Sequence, residues 1–279
     1  MSETAKTILV IGATGSIGVP VCHFLAKSGY SLVLAARDTE NLQMLCRELK
    51  SAGAASHAWV CVDTADDQSI DAFAEEVAAR NISVDGVVLI PPRPPRLHEA
   101  VPASNAWHEF FQKSFIGPSA LLKTAIATMK PDPANGRRSK VVIILGIFAA
   151  SLPDELATSN LLHGAWAGEA KRLAFALGER GIHVNSLSLD KEVARWRGGS
   201  FKRAADVETM FEQRQADGAS NAPSGEWRRP DEVGIAVEIL LSPFSDDMTG
   251  LDIQHDSVSS FKYSRRKPTI ATGRPQARG

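Results

Sequence analysis

A short apolar run near the start of the chain leads into a turn with glycine at every third position. The run is Thr-Ile-Leu-Val-Ile at residues 7–11, and the glycines are Gly12, Gly15 and Gly18. The run is typical of a buried parallel strand, and residues 19–28 have the spacing of an amphipathic helix. Such glycines allow a tight turn, close approach of the backbone to a pyrophosphate and close helix packing. The arrangement therefore predicts a dinucleotide-binding turn.

The amino end of the helix after this turn is the predicted phosphate site. Unpaired N–H groups and the helix dipole favour negative charge there without any basic side chain. The turn residues expected to contact the dinucleotide are Gly12, Thr14, Gly15, Ser16, Ile17 and Gly18.

The rest of the chain alternates between apolar runs of strand length and amphipathic segments of helix length. Further strands are predicted at residues 31–36, 58–62, 86–90, 140–145, 182–189 and 251–253, and helices at 40–50, 70–79, 119–129, 165–180 and 230–241. This alternation predicts the α/β class, with ligands bound outside the carboxyl ends of the strands. We expect a single-domain Rossmann fold, a doubly wound seven-stranded parallel sheet with helices on both faces.

Two segments depart from this alternation. Residues 190–229 form a long polar insertion, which is either a substrate loop that acts as a lid or a segment without a role. Residues 261–279 contain lysines and arginines but no acid, together with prolines. Such ends are usually solvated. We therefore expect a dinucleotide-binding domain over residues 1–260 and a disordered basic tail.

The bulk composition is that of an ordinary globular protein. A net charge of -1 and a hydrophobic content of 44% indicate neither a nucleic-acid partner nor a membrane partner. No leader peptide precedes the first predicted strand, so we expect a cytoplasmic protein. Cys22, Cys46 and Cys61 lie in predicted helices and a strand, which favours buried thiols, and no metal site is expected.

Several further motifs resemble the short-chain dehydrogenase/reductase superfamily over about residues 6–258. They are Leu-Ala-Ala-Arg at 34–37, Val-Asp at 62–63, Ile-Ser-Val-Asp at 82–85, Gly-Ile-His-Val-Asn-Ser at 181–186, Arg-Pro-Asp-Glu-Val at 229–233 and Met-Thr-Gly at 248–250. The resemblance implies an oxidoreductase that uses a nicotinamide cofactor. It also implies a homodimer or homotetramer, paired through helices at residues 114–129 and 165–180.

The resemblance extends to the adenosine end of the cofactor. Arg37 lies where the family reads the adenosine ribose, and a guanidinium pairs well with a 2′-phosphate, so NADP(H) is favoured over NAD(H). Asp38 follows directly, and its carboxylate is an alternative partner for a ribose hydroxyl. Asp63 resembles the acid that accepts from the adenine amino group; the alternative is a strand-end or capping aspartate.

The catalytic motif of the family is not matched. The resemblance implies a tyrosine, a lysine four residues later and a serine, and these positions fall on Ser159, His163 and Gly146. The asparagine that supports the family's proton relay falls near Ser114. The chain contains two tyrosines, Tyr30 and Tyr263, and neither is near the expected site. We therefore expect an atypical member without the usual Ser/Tyr/Lys chemistry.

Ser159 and His163 are the remaining candidates for catalytic residues. The imidazole of His163 either replaces the lysine, by donating to a ribose hydroxyl or transferring a proton near neutral pH, or fills its space as a polar helix residue. Residues four apart share a helix face, so a nucleophilic Ser159–His163 pair is also conceivable. That pair is disfavoured because no strained nucleophile turn surrounds Ser159.

The expected substrate pocket lies beside these residues. Its candidates are Pro91, Pro92 and Arg93 in a stiff proline-rich segment, together with Phe148 and Trp166. Apolar walls of this kind suit a bulky apolar small molecule. Trp166 is equally compatible with core packing, and Arg93 with a solvent-facing position.

Three functions are compatible with this pattern. The first is an NADPH-dependent reductase in secondary metabolism, whose substrate is already activated as an imine, iminium or conjugated system, with cyclisation as a coupled step. The second is a catalytically inactive NADP(H)-binding protein or scaffold. The third is a non-redox cyclase or isomerase on the same fold.

Overall fold

The structure is a computed structural model that describes residues 5–51, 57–94, 102–146, 157–189, 209, 212–213 and 229–255. Three predictions fall outside these ranges. They concern Phe148, most of the insertion at 190–229 and the basic tail at 261–279.

Seven parallel strands form one sheet, in the order β3-β2-β1-β4-β5-β6-β7. The strands are β1 (Thr7–Ile11), β2 (Ser31–Ala36), β3 (His57–Cys61), β4 (Gly86–Leu89), β5 (Ser139–Leu145), β6 (Ile182–Leu189) and β7 (Asp252–His255). Every residue of β4 and β5 is buried, as expected when helices cover both faces of a parallel sheet. The predicted doubly wound Rossmann fold is confirmed.

Seven α-helices of the described residues lie on the two faces of the sheet. They are α1 (Gly18–Lys27), α2 (Thr39–Ser51), α3 (Asp67–Ala79), α4 (Ser104–Phe111), α5 (Gly117–Thr128), α6 (Ala157–Leu177) and α7 (Pro230–Leu241). Apolar residues of α1, α2 and α7 form one core cluster, and those of α3, α5 and α6 form the other. None of the helices within the described ranges is long and apolar enough to cross a bilayer.

A π-helical turn at Gln112–Ile116 separates α4 from α5, whereas the sequence predicted only a helix over residues 119–129 and no π-turn. Gly117 packs so closely on Thr64 that a Cβ there would collide with the carbonyl of Thr64. The hydroxyl of Thr64 donates to the carbonyl of Lys113 at 3.1 Å. A π-turn widens the helix locally, and here it lies against the loop after β3.

The topology determines where ligands can approach. The strand order reverses between β1 and β4, which pair directly. In open parallel sheets the crevice at such a switch point, outside the carboxyl ends of the strands, is the usual ligand site. The glycine turn, which directly follows β1, lies at this crevice.

Candidate cofactor and active site

The glycine turn is fixed against its neighbours by backbone contacts. The amides of Gly12 and Ala13 both donate to the carbonyl of Ala35, at 2.8 and 3.2 Å. Gly12 has φ +88°, and a Cβ there would lie 2.7 Å from the carbonyl oxygen of Ile90. A Cβ on Gly18 would meet the carbonyl of Ala13 at 2.6 Å. Both glycines are therefore required by the tight turn and the close helix packing.

The amino end of α1 is suited to a phosphate. Within the described structure this helix has no side-chain cap and no acidic residue in its first turn. Thr14, Ser16 and Ile17 are partly exposed around the exposed Gly15. Backbone N–H groups and the helix dipole at such an end attract an anion. The residues present thus fit the pyrophosphate of a dinucleotide.

Arg37 and Asp38 follow β2 and differ in their contacts. The carboxylate of Asp38 accepts from the backbone amide of Asn41 at 3.0 Å and from its side-chain amide at 2.8 Å. Asp38 therefore caps α2, which weakens the alternative that it binds a ribose hydroxyl. The side chain of Arg37 is exposed, next to Cys61, whose Sγ lies 3.4 Å from the carbonyl of Arg37.

Asp63 lies in the turn after β3. Its Oδ1 accepts from the amide of Ala65 at 2.9 Å, and its own amide donates to Ser69 Oγ at 2.9 Å. The residue that caps α3 is Asp66. Asp63 thus stabilises a turn, and its contact with adenine stays a prediction.

The start of the proline-rich segment lies beside the glycine turn. Ile90 extends the ladder of β4 by donating to the carbonyl of Ile11 at 2.9 Å. Pro91 and Pro92 are partly buried and Arg93 is exposed. These three residues therefore leave β4 at the edge where the cofactor is expected.

His163 is the centre of a buried polar network. It is 6% exposed, with Nδ1 3.1 Å from the carbonyl of Gly146 and Nε2 3.2 Å from Oδ2 of Asp252. The other carboxylate oxygen of Asp252 accepts from Ser186 Oγ at 2.8 Å and Ser188 Oγ at 2.6 Å. A carbonyl and a carboxylate only accept hydrogen bonds, so this geometry favours a proton on both ring nitrogens. The two contacts together favour the imidazolium form of His163.

The charges of this pair stabilise each other. Burial alone would lower the pKa of His163, but the hydrogen bonds to Asp252 and Gly146 and the charge of Asp252 outweigh it and raise that pKa. Burial would raise the pKa of Asp252, but the hydrogen bonds from His163, Ser188 and Ser186 lower it to about 2. The contribution of His163 to folding stability is present below about pH 6.5 and is lost as the pH rises through its raised pKa.

The conceivable Ser159–His163 pair is not formed. The partners of the imidazole nitrogens are Gly146 and Asp252, and Ser159 is only partly exposed on the first turn of α6. That helix begins at Ala157, well before the predicted start at residue 165. No base contacts the hydroxyl of Ser159 within the described ranges, so these residues show no activation of Ser159 as a nucleophile.

Trp166 is packed in the core, which is one of the two roles that its sequence position allowed. The side chain is 0% exposed, and its indole nitrogen donates to the carbonyl of Ser114 at 3.0 Å. Its ring centroid lies 4.8 Å from that of Phe115. From α6 the indole packs against the π-turn, so it presents no open face to a substrate. The hydroxyl of Ser114 is buried without a hydrogen-bond partner in the described structure.

The sequence reasoning missed Asp252 and its serine partners. Asp252 lies 89 positions from His163, in a short strand. One signal was available, because Ser186 and Ser188 alternate with apolar residues in β6 and so place two hydroxyls on one face. A polar face inside a buried strand indicates a buried polar partner.

Metal binding has no support among the described side chains. They contain no group of three or more His, Cys, Asp or Glu residues that could hold a metal ion. Cys22 and Cys46 are buried and Cys61 is exposed, and all three are free thiols.

Known proteins share this fold and sequence pattern. The profile of a family described as Enoyl-(Acyl carrier protein) reductase matches residues 12–257. A Streptomyces coelicolor protein named as a ketoacyl reductase is 24% identical over 244 residues, covering 87% of this chain and 92% of its own. L-Sorbose reductase from Gluconobacter frateurii, complexed with NADPH and L-sorbose, has a TM-score of 0.71 at 20% identity, covering 92% of this chain and 97% of its own.

A second solved structure is similar to the same extent. A variant of actinorhodin polyketide ketoreductase, with NADPH, has a TM-score of 0.72 at 22% identity and covers 94% of this chain and 100% of its own. These likenesses show the fold, and the profile match extends from the glycine turn to the residues after β7. The chain therefore belongs to the short-chain dehydrogenase/reductase superfamily, within the family described as enoyl-(acyl carrier protein) reductase.

Proposed function

We propose that this protein is an NADPH-dependent reductase that transfers hydride to a substrate already activated as an imine, an iminium ion or a conjugated system. The observation that carries the proposal is the contrast between the two halves of the site. The turn at Gly12 and the exposed Arg37 fit the phosphates of a cofactor. In the other half, His163 is held in an ion pair with Asp252 and is not placed to exchange a proton with substrate.

NADP(H) is supported by the contacts at the end of β2. Asp38 is engaged in capping α2, so Arg37 is the side chain offered to the adenosine ribose, and its guanidinium suits a 2′-phosphate. Two structural neighbours, L-sorbose reductase and the polyketide ketoreductase, are complexes with NADPH. When bound, this cofactor would supply the hydride, and the chain's own residues would bind it and orient it.

The proposed substrate class follows from whether the product of hydride transfer must take up a proton. Hydride addition to a ketone gives an alkoxide that must receive a proton, whereas hydride addition to an iminium carbon gives a neutral amine. Tyr30 directly precedes β2, at the amino edge of the sheet and away from the glycine turn. In the family's pattern, the catalytic positions fall on Gly146, Ser159 and His163. An iminium ion, or an imine that is already protonated, therefore needs no proton donor at these positions, and an enone needs only a later proton from water on its enolate.

Arg37→Ala tests the cofactor half of the proposal. Loss of the charged contact to the 2′-phosphate is expected to cost about 2–3 kcal/mol, which is about 30- to 150-fold in the Kd for NADPH. The Kd for NADH should stay unchanged, because NADH has no 2′-phosphate. The matched control is Arg47→Ala, an exposed arginine on α2. Equal Kd values for NADPH in both variants, measured by calorimetry, would contradict the assignment.

Turnover with matched substrates tests the chemical half. NADPH oxidation is followed by the loss of reduced-cofactor absorbance, with cyclic imines, enones and the ketones of the same ring size. We expect turnover of cyclic imines that exceeds ketone turnover by about a hundredfold, the lower range of general acid catalysis. Equal rates on ketones would show that a proton donor is present and would overturn the proposed substrate class.

The second candidate is an NADP(H)-binding protein without turnover. Two observations favour it. Both ring nitrogens of His163 are within hydrogen-bond distance of other protein groups, and the indole of Trp166 donates a hydrogen bond to the carbonyl of Ser114. Tight NADPH binding with no oxidation by any acceptor class would support this candidate.

We further propose that one cofactor-binding domain spans residues 1–260 and assembles as a homodimer or homotetramer. Phe175 and Leu161 on α6 are 93% and 44% exposed, and Ile116 in the π-turn is 52% exposed. Large apolar side chains exposed on one helix are typical of contact surfaces. The proposed substrate is a bulky apolar molecule of secondary metabolism, in keeping with the polyketide ketoreductase among the structural neighbours.

A further inference from the structure

The ion pair formed by the buried His163 and the partly buried Asp252 has no part in the proposed hydride transfer. We propose that Asp252 is a positioning residue, which keeps His163 doubly protonated so that the imidazolium holds the carbonyl of Gly146 and fixes the end of β5 beside the bound cofactor. This inference rests on the proposed NADP(H) binding. It assigns Asp252 a role that acts through His163 and does not require contact with the substrate.

The hydrogen bonds of His163 connect parts of the chain that are distant in sequence. From α6 it reaches Gly146, 17 positions before it, and Asp252, 89 positions after it. Gly146 is exposed, and a Cβ there would meet no atom of the described residues within 4 Å, so the described part of the chain does not hold it by packing. The Nδ1–H group therefore supplies a specific anchor for the residue that follows β5.

Asp252 is itself held firmly by its neighbours. Its carboxylate accepts from Ser186 and Ser188 of β6, from the side-chain amide of Gln254 at 3.1 Å, and from His163. A carboxylate with this many donors has little freedom to rotate, so it also orients the imidazole. The orientation of His163 is thus set from β6 and β7 together.

Asp252 is also the counter-ion that determines the charge of His163. Among the described residues, Gly146, which follows β5, faces the imidazole with its carbonyl, and Asp252 of β7 faces it with its carboxylate. The groups of β6 in this network are the hydroxyls of Ser186 and Ser188. A neutral imidazole has one N–H group and can serve only one of its two acceptors. Deprotonation therefore releases either Gly146 or Asp252.

The experiment compares the charge of His163 with NADPH affinity in the full chain. Imidazole carbon-13 NMR reports the titration of His163, identified by its absence in His163→Gln, and calorimetry gives the Kd for NADPH between pH 5.5 and 9. In the unmodified protein we expect His163 to titrate above about pH 6.5. NADPH should bind about tenfold more weakly above that titration than below it.

Asp252→Asn keeps the size of the side chain and removes its charge. We expect His163 to titrate below its ordinary range in this variant, and NADPH to bind about tenfold more weakly at pH 6 than in the unmodified protein. The pH dependence between 6.5 and 9 should be lost. Asp247→Asn, an exposed aspartate five positions before Asp252, is the matched control and should behave like the unmodified protein.

The outcomes separate this inference from the proposed function. Normal NADPH binding with no pH dependence across the titration of His163 overturns the positioning role and leaves the proposed function intact. An ordinary or lowered pKa of His163 in the unmodified protein has the same consequence. Failure of the unmodified protein to bind NADPH overturns both. The NMR titration and the pH dependence of the Kd are measured on the unmodified protein, so these outcomes do not depend on the folding of Asp252→Asn.

Discussion

Gly12→Ala is expected to lower the free energy of unfolding by about 3 kcal/mol and to abolish NADPH binding. Part of the cost is the left-handed backbone at φ +88°, which an L-residue adopts at a penalty of about 1–2 kcal/mol. The rest comes from the new methyl group, which would lie 2.7 Å from the carbonyl oxygen of Ile90 and must displace the backbone there. The displaced turn would no longer aim its N–H groups at a phosphate.

Gly29→Ala is the matched control for this change. Gly29 has the same φ of +88°, but a Cβ there would meet nothing within 4 Å. We expect it to cost only the same backbone penalty, about 1–2 kcal/mol, with an unchanged Kd for NADPH. Denaturant unfolding and calorimetry on the two variants separate the effect of backbone conformation from that of the collision. Unchanged NADPH binding by Gly12→Ala would exclude the turn from the cofactor site.

Trp166→Ala is expected to destabilise the protein by about 4 kcal/mol, the typical cost of truncating a buried aromatic residue. Trp166 is fully buried against Phe115, and its removal would also leave the carbonyl of Ser114 without its donor. Trp166→Phe keeps most of the ring volume and should cost about 1–2 kcal/mol through the lost hydrogen bond. The measurement is urea unfolding followed by circular dichroism.

Phe175→Ala is the control for the truncation of Trp166. Phe175 lies on the same helix but is 93% exposed, so its truncation should change the stability of the monomer by less than about 0.5 kcal/mol. If Trp166→Ala left the stability unchanged, the indole would not be a core residue. Its expected place in the substrate pocket would then have to be restored.

The sequence predicts best the strands and helices whose ends are marked by residues within or next to them. β2, β6 and α7 have the predicted bounds, because apolar runs, a glycine and a helix-starting proline mark their ends. The π-turn was not predicted, since its surroundings include the close contact between Gly117 and Thr64, which are distant in the chain. Helical periodicity contains no information on such a contact.

The candidate site was predicted less completely for a similar reason. The sequence predicts His163 as a site residue, but the interpretation of its role depends on Asp252, which lies 89 positions later in the chain. The sequence alone does not distinguish a core position from a pocket position for Trp166. Spacing along α6 shows which face of the helix is apolar, but it does not show where the sheet beneath that face ends. The cofactor half was easier, since the glycine turn and Arg37 each lie directly after a strand.

In the proposed reductase, the ion pair of His163 and Asp252 would also determine the electrostatic potential at the substrate. A lone ammonium at this position would act as a monopole, whose potential falls slowly with distance in a dry site. The imidazolium and the carboxylate, with nitrogen and oxygen 3.2 Å apart, act as a dipole, and their opposite potentials largely cancel a short distance away. An acceptor that carries its own positive charge can therefore approach this end of the sheet without the repulsion that an unpaired cation would impose.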